Sequence, residues 1–258
     1  MVAEKALQML LKGLAKWDFF DYKDWNGNTA DTPYSLKDRG DHSDLMIICG
    51  SDAYEVHKAI VCSQSEFFKL ACRKHTDDGG DFKEAQSGIV EIPSHKTDAN
   101  TTEPEDFKWD ADEDDPKCVK LMIHYFYHLD YLEVETAKIK EKKRTEENYD
   151  EAHVLKEGLL IDHAKMYAMG DKYGIPGLKD LALRKYQEAY EHTSAGFANS
   201  MIVIYTSTID NDMDLRNVII KILNNDITNL MSKPKIDQTV KDIPPLSHAL
   251  LRKSLDLP

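Results

Sequence analysis

The fold of this chain depends on residues 43–68, which read SDLMIICGSDAYEVHKAIVCSQSEFF. The largely apolar run Asp44–Cys49 predicts a first strand, and Tyr54 and Val56 alternate with polar neighbours as in a second strand. Gly50-Ser51-Asp52 between them has the composition of a tight turn. The stretch therefore predicts a β-hairpin.

The second half of the same stretch changes its period and predicts helices. From Lys58 onward the apolar side chains recur at helical rather than strand spacing. Ser63-Gln64-Ser65 interrupts them and supplies a break and a cap, so we expect one or two short helices. The side chains expected to face inward are Ile60, Val61, Phe67, Phe68, Ala71 and Cys72.

One more strand precedes a series of helices. Gly88–Pro93 is short, rich in β-branched residues and closed by proline, which predicts a third strand. Helical spacing of apolar residues then predicts three helices, at Val119–Tyr127, at Leu159–Tyr173 and after Gly174-Ile175-Pro176-Gly177.

The C-terminal part, residues 192–258, is also predicted to be helical. Two helices are expected there, and Asp212 or Asp214 is the expected cap of the second. Pro234 and Pro244-Pro245 are expected to break up the tail. Because strands come early and helices late, the pattern favours an α+β fold over a doubly wound parallel sheet.

Two charged insertions interrupt this pattern, at about 94–116 and 133–157. Residues 98–116 hold nine acidic residues and one lysine, which predicts a solvated loop or a disordered segment. Residues 133–157 hold eight acidic and six basic residues and are expected to be exposed. The predicted organisation is an N-terminal helix and linker arm at 1–42, a domain at 43–191 and a C-terminal helical extension at 192–258.

Composition argues against several kinds of partner. Lys and Arg number 33 against 46 Asp and Glu, so the net charge of −13 disfavours direct binding to nucleic acid or an anionic membrane. We find no run of about 18 apolar residues that would cross a bilayer. Lys12 interrupts the N-terminal leucines, which indicates an amphipathic helix rather than a signal peptide. The four cysteines form no CxxC pair, so we expect reduced thiols in the cytoplasm or nucleus.

The order of the motifs resembles the BTB/POZ domain, in the style of the short BTB proteins of filamentous fungi. That resemblance implies an α+β fold in which a small three-stranded sheet caps a cluster of helical hairpins, with extra C-terminal helices. The motifs that carry it are Ser43–Ile47, Tyr54–Phe68, Phe82-Lys83-Glu84, Ile89–Pro93, Tyr125–Tyr127 and Ala168–Leu178.

The resemblance also implies residues that contact partners. Asp44 and Lys58 match positions that line a charged groove between subunits of BTB dimers, and an ordinary ion pair within the chain is the alternative. An N-terminal helix with Leu7, Leu10, Leu11 and Leu14 on one face would pack on a partner chain or cover its own core. Phe82 and Glu84 resemble the element that contacts a cullin, together with the helix around Tyr125 and Tyr127.

The function implied is a protein–protein interaction module, not an enzyme. We expect a dimerising adaptor, homodimeric or heterodimeric, that recruits clients to a cullin-based ubiquitin ligase. The alternative is a transcriptional or chromatin-associated scaffold without ligase activity, which would act through proteins rather than by direct contact with DNA.

Reactive side chains are few, and each has a structural explanation. His57 and Cys62 could form a thiol nucleophile, but the first fits a structural cap and the second a buried helical turn. Cys72 and His75 form one thin pair, short of the four ligands of a structural zinc site. Residues 110–115 are acidic but lack the glycine and final glutamate of a calcium loop. No catalytic residue, metal or cofactor is expected.

Overall fold

A computed structural model describes residues 43–73, 82–94, 109–131 and 149–255, with side chains left out for 149–158 and for His192. The predictions for residues 1–42, including Leu7, Leu10, Leu11 and Leu14, lie outside the described residues. Most of the second charged insertion, residues 132–148, lies outside them as well, and so do residues 95–108 of the first.

The sheet has three strands: β1 (Leu45–Cys49), β2 (Asp52–Val56) and β3 (Ile89–Ile92). Their order is β2-β1-β3, with β1 antiparallel to β2 and parallel to β3. Alternate residues of β1 are buried, so one face of the sheet covers the core. The predicted hairpin and third strand are confirmed.

Between β2 and β3 the described residues form three short helices: α1 (Lys58–Gln64), α2 (Glu66–Ala71) and α3 (Lys83–Ser87). Ser65 separates the first two, as predicted. Its hydroxyl accepts the N–H of Phe68 at 3.2 Å and donates to the Tyr173 carbonyl at 2.6 Å. The prediction that Phe67 faces the core was wrong, because it is 41% exposed while Phe68 is fully buried.

Eight further helices follow in the described part of the chain, and four of them begin at a proline. Proline suits this position because its missing N–H would have had no partner in the helix. The helices are α4 (Pro116–His128), α5 (Tyr149–Lys172), α6 (Pro176–His192), α7 (Phe197–Ser207), α8 (Asp214–Asn225), α9 (Ile227–Met231), α10 (Pro234–Asp242) and α11 (Pro244–Ser254).

Two predictions about the C-terminal part were wrong. Five helices lie in the described part of this region instead of the two expected; Pro234 and Pro244 divide the tail as predicted, each by beginning a new helix. Neither predicted aspartate caps α8, since Met213 takes the cap position and no side chain caps it. Asp212 is instead buried and accepts the hydroxyl of Tyr167 at 2.6 Å.

One hydrophobic core joins the sheet to all the longer helices. Buried side chains from β1, from α5 and from the C-terminal helices α8 to α11 belong to the same cluster. Helices α5 and α6 approach closely at Gly170, where an added Cβ would lie 2.7 Å from the Lys179 backbone nitrogen. Any larger residue at Gly170 would therefore push the two helices apart.

The end of the first acidic insertion lies in the interior of the protein. Asp114 forms a parallel β-bridge with Ser94 and is 4% exposed. Its carboxylate accepts the Tyr173 hydroxyl at 2.6 Å and the Lys172 ammonium at 3.0 Å. For this end of the block the prediction of a solvated loop was wrong, because Lys172 at the end of α5 and the adjacent Tyr173 compensate the buried charge.

The neighbouring Asp115 caps helix α4 and also contacts α5. It accepts the N–H of Lys117 at 2.9 Å and the ammonium of Lys165 at 2.8 Å. Burial raises the pKa of Asp115, but these donors outweigh burial and the pKa lies below its ordinary value. The consecutive carboxylates of Asp114 and Asp115 thus connect the start of α4 to Lys172 and Lys165 of α5.

We expect the Asp114 contacts to be among the most stabilising polar interactions in the fold. Asp114→Ala should lower the free energy of unfolding by about 3 kcal/mol, because the Tyr173 hydroxyl and Lys172 lose their acceptor. Tyr173→Phe should lower it by about 2 kcal/mol. The exposed Asp112→Ala is the matched control and should change it by less than about 0.5 kcal/mol. Urea unfolding followed by circular dichroism measures all three, and an equal effect of Asp112→Ala and Asp114→Ala would contradict the interpretation.

A buried histidine in α5 makes the stability depend on pH. His163 is 4% exposed, and its Nδ1 lies 3.1 Å from the Tyr131 hydroxyl. Burial, and then the nearby Lys185, lower the pKa of His163 to about 3 from its ordinary 6.5. Between these two values the unfolded chain binds a proton that the folded chain does not, so stability falls as the pH falls.

Lowering the pH from 7.5 to 5 should therefore cost about 2 kcal/mol of stability through His163. His163→Gln should reduce this pH-dependent loss by about that amount, because glutamine does not titrate. The exposed His248 provides the control, since His248→Gln should leave the loss unchanged. Urea unfolding at the two pH values gives the comparison, and an undiminished loss in His163→Gln would refute it.

Candidate interaction surfaces

The junction between β2 and α1 is held by two side chains from elsewhere in the chain. The Asp44 carboxylate accepts the backbone N–H of Lys58 at 2.7 Å, and the Tyr127 hydroxyl accepts the backbone N–H of His57 at 3.0 Å. His57 holds the cap position, but its own side chain does not cap the helix. These contacts satisfy N–H groups that the first turn of a helix leaves without a partner.

The predicted pair Asp44 and Lys58 is therefore brought together, but by a helix cap. The contact runs through the backbone of Lys58 rather than through its ammonium group. Asp44 is exposed and Lys58 is half-buried, so both remain accessible to another protein. Their role in a groove between subunits stays a prediction.

The tripeptide that resembles a cullin contact begins with an exposed aromatic ring. Phe82 is 55% exposed and stands at the cap position of α3, where its carbonyl accepts the N–H of Ala85 at 3.0 Å. Glu84 lies in the first turn of the same helix and is half-buried. The helix thus presents the ring of Phe82 at the surface and a carboxylate two residues later, in its first turn.

The two tyrosines predicted beside it are less accessible. Tyr125 is 6% exposed, so most of its ring is covered by the protein itself. Tyr127 is half-buried, and its hydroxyl is engaged with His57. Burial raises the pKa of each tyrosine to about 12, so both are neutral at physiological pH.

Tyr125 lines a groove of about 380 Å³ between α1, α4 and α6. Gly177 makes room for its hydroxyl, since an added Cβ would lie 2.4 Å from the Tyr125 oxygen. Asp180 and Arg184 add opposite charges, and the Gln64 Oε1 is buried with no hydrogen-bond partner among the described residues. The groove can therefore accept both apolar groups and a hydrogen-bond donor.

Neither the groove nor a second apolar surface, formed by Phe67 and Leu70, was predicted from the sequence. The spacing of Gly177, Asp180 and Arg184 places them on one face of α6, a signal that was available. Leu70 of α2 is 46% exposed, close in sequence to the exposed Phe67. A helix of six residues is too short for its hydrophobic period to show that Phe67 and Leu70 face away from the core.

The environment of Cys62 fits a structural cysteine rather than a nucleophile. Cys62 donates its S–H to the Phe68 carbonyl at 3.5 Å, and burial, then the neighbouring Cys72, raise its pKa to about 12. The thiol is therefore protonated near pH 7 and a poor nucleophile. All four cysteines are free.

The described residues show neither a metal-holding cluster nor a membrane-spanning helix. Within them we find no group of three or more His, Cys, Asp or Glu side chains placed to hold a metal ion. His75, from the pair considered with Cys72, lies outside them. No helix in these ranges is long and apolar enough to cross a membrane.

The described residues form a three-stranded sheet, a hairpin that runs into a helix pair, and a surface with exposed apolar side chains. Together these features define a protein–protein interaction module. A family model of the BTB/POZ domain matches residues 34–164, just over half of the chain. The chain belongs to the BTB/POZ family and has its α+β fold. A search of curated proteins found no match.

The cap at α1 makes a sharp prediction about Asp44 and Lys58. Asp44→Ala should lower the free energy of unfolding by about 1 kcal/mol, because the first-turn N–H loses its acceptor. Lys58→Met keeps that N–H and should change it by less than about 0.5 kcal/mol. Chemical unfolding of the two variants measures the difference. Equal losses would show that attraction between the carboxylate and the ammonium, rather than capping, stabilises the junction.

Proposed function

We propose that this protein is a dimerising adaptor that binds a cullin scaffold through the surface around Phe82 and Glu84. The exposed ring of Phe82 is the observation that carries the proposal. A large aromatic side chain, 55% exposed at the start of a helix, can fill a pocket on a partner and bury much of its area there. Glu84 supplies a carboxylate in the same turn for a polar contact.

Other described residues also expose apolar area. Phe67 and Leu70 expose further apolar area on α2, which precedes α3 in the chain. Tyr125 is nearly buried, so its contribution is to shape the groove between α1, α4 and α6 rather than to provide a large contact area. The main contact would therefore be made by Phe82, with Glu84 two residues away in the same helix turn.

The rest of the chain would choose the client and join the subunits. We assign dimerisation to the N-terminal segment together with Asp44 and Lys58, and client binding to the N-terminal arm or the C-terminal helices. The four free thiols fit a site of action in the reducing cytosol or nucleus.

Binding to the N-terminal domain of a cullin tests the proposal. Phe82→Ala should weaken binding by about 2 kcal/mol, roughly 30-fold, because an aromatic anchor leaves its pocket. Glu84→Lys should also weaken it, since the charge is reversed. Ile209→Ala is the matched control, because Ile209 is 68% exposed but lies in the C-terminal part of the chain.

Calorimetry gives the affinities, and light scattering of the protein with and without the cullin domain gives the stoichiometry and subunit number. Wild-type affinity in both Phe82→Ala and Glu84→Lys would remove the cullin proposal. It would leave the family's general role in protein–protein interaction intact.

A further inference from the structure

Two of the four free thiols lie next to each other, one in α1 and the other at the end of α2. Cys62 belongs to α1, and Cys72 holds the C-terminal cap position of α2. The Cys62 thiol donates to the Phe68 carbonyl oxygen at 3.5 Å, and the backbone N–H of Cys72 donates to the same oxygen at 3.0 Å. Cys72 is also a side-chain hydrogen-bond partner of Cys62. The fold therefore brings the two thiols into contact.

The other two cysteines are less accessible. Cys49 in β1 and Cys118 in α4 are 0% and 1% exposed. Cys62 and Cys72 are half-buried and pack against the edge of the core. Because thiol oxidation depends on access, a small oxidant reaches the Cys62–Cys72 pair in the folded protein more readily than the two buried thiols.

We propose that Cys62 and Cys72 form a reversible disulfide when the protein meets a peroxide, which makes the pair a redox-sensitive modification site. The bond requires the two sulfur atoms to approach to about 2.05 Å. Cys72 follows the last residue of α2, so its backbone can adjust to the disulfide without breaking the hydrogen bonds of a helix interior.

The first thiol to react is Cys72. Burial, then the neighbouring Cys72, raise the pKa of Cys62 to about 12, so Cys62 stays protonated near neutral pH. The Cys72 thiolate attacks one oxygen of the peroxide, the O–O bond breaks, and Cys72 becomes a sulfenic acid. The hydroxide that leaves combines with the proton that Cys72 released and forms water.

The second step joins the two sulfur atoms. Cys62 attacks the Cys72 sulfur, the S–O bond breaks, and the hydroxide leaves with the proton of Cys62 as a second water. Two thiols and one hydrogen peroxide thus give one disulfide and two waters. The two sulfur atoms together lose two electrons, and the peroxide oxygens gain them.

Oxidation of Cys72 also prepares Cys62 for this attack. The negative charge of Cys72 is one of the causes that raise the pKa of Cys62, and a sulfenic acid near neutral pH removes much of that charge. The positive charge of Lys58, which lowers the pKa of Cys62, remains. Cys62 therefore loses its proton more easily at the step in which it must attack.

The disulfide changes the second apolar surface. Phe67 and Leu70 lie between the two cysteines in the chain, so the bond closes a loop that contains both exposed side chains. The end of α2 is then covalently held to α1. The oxidised protein presents this surface with less conformational freedom than the reduced protein.

Oxidation of the folded, full-length protein with hydrogen peroxide tests this inference. The product is alkylated and digested with trypsin in the absence of reductant. Trypsin cuts after Lys58, Lys69 and Arg73, so the two cysteines fall in separate peptides. We expect a cross-link between residues 59–69 and residues 70–73, and a fall in free thiols from four to two. Dithiothreitol should restore the lost thiols.

The chain supplies its own controls. Cys49 and Cys118 should oxidise at least about tenfold more slowly than the pair, because they are buried. Cys62→Ala and Cys72→Ala, shown by circular dichroism to be folded, should each form no such cross-link. Peptide mapping of the wild type decides the matter even where a variant does not fold. If the oxidised wild type lacks the cross-link, or if the bond joins Cys49 or Cys118 instead, the inference is overturned.

Discussion

The architecture depends on a charge taken out of water. Asp114 lies in the interior, where an isolated carboxylate would be strongly unfavourable, so the chain must bring donors to it. Lys172, the last residue of α5, and the adjacent Tyr173 supply them, nearly 60 residues further along the chain. The Asp114–Ser94 bridge extends the end of β3 on one side, and α4 begins two residues later on the other. The sheet, α4 and α5 are thereby positioned relative to one another.

A second polar junction sets the position of the groove between α1, α4 and α6. The Asp44 carboxylate and the Tyr127 hydroxyl satisfy the N–H groups that open α1, so the hairpin, α1 and the end of α4 meet at one point. The groove between α1, α4 and α6 lies beside helices held in this way. Well-anchored helices are a suitable base for protein recognition, because little conformational entropy is then lost on binding.

Local patterns predicted the elements well and the environment of single residues less well. The β-hairpin, the Ser65 break and the third strand depend on neighbours in sequence, and all three are confirmed. Phe67 and Phe68 are adjacent in a short helix and both rings contact Tyr173, but Phe68 packs against Phe126 as well, so tertiary packing decided which ring is buried. Pro234 and Pro244 divide the tail as expected, and each does so by beginning a new helix, because proline fits a first turn as well as a loop. Phe82 is exposed and Tyr125 is buried, and the contact site assigned to them stays a prediction.

Amino-acid order alone determined the α+β class, the hairpin, the helix breaks and the family, because these follow from hydrophobic period, turn residues and short motifs that are local in sequence. Tertiary structure decided which acidic residues and histidines are buried. Asp114 is buried because Tyr173 and Lys172 are there to meet it, and His163 is neutral because other elements cover it. The environment of a titratable group depends on residues distant in sequence, so charge composition by itself could not distinguish a solvated loop from a buried link between helices.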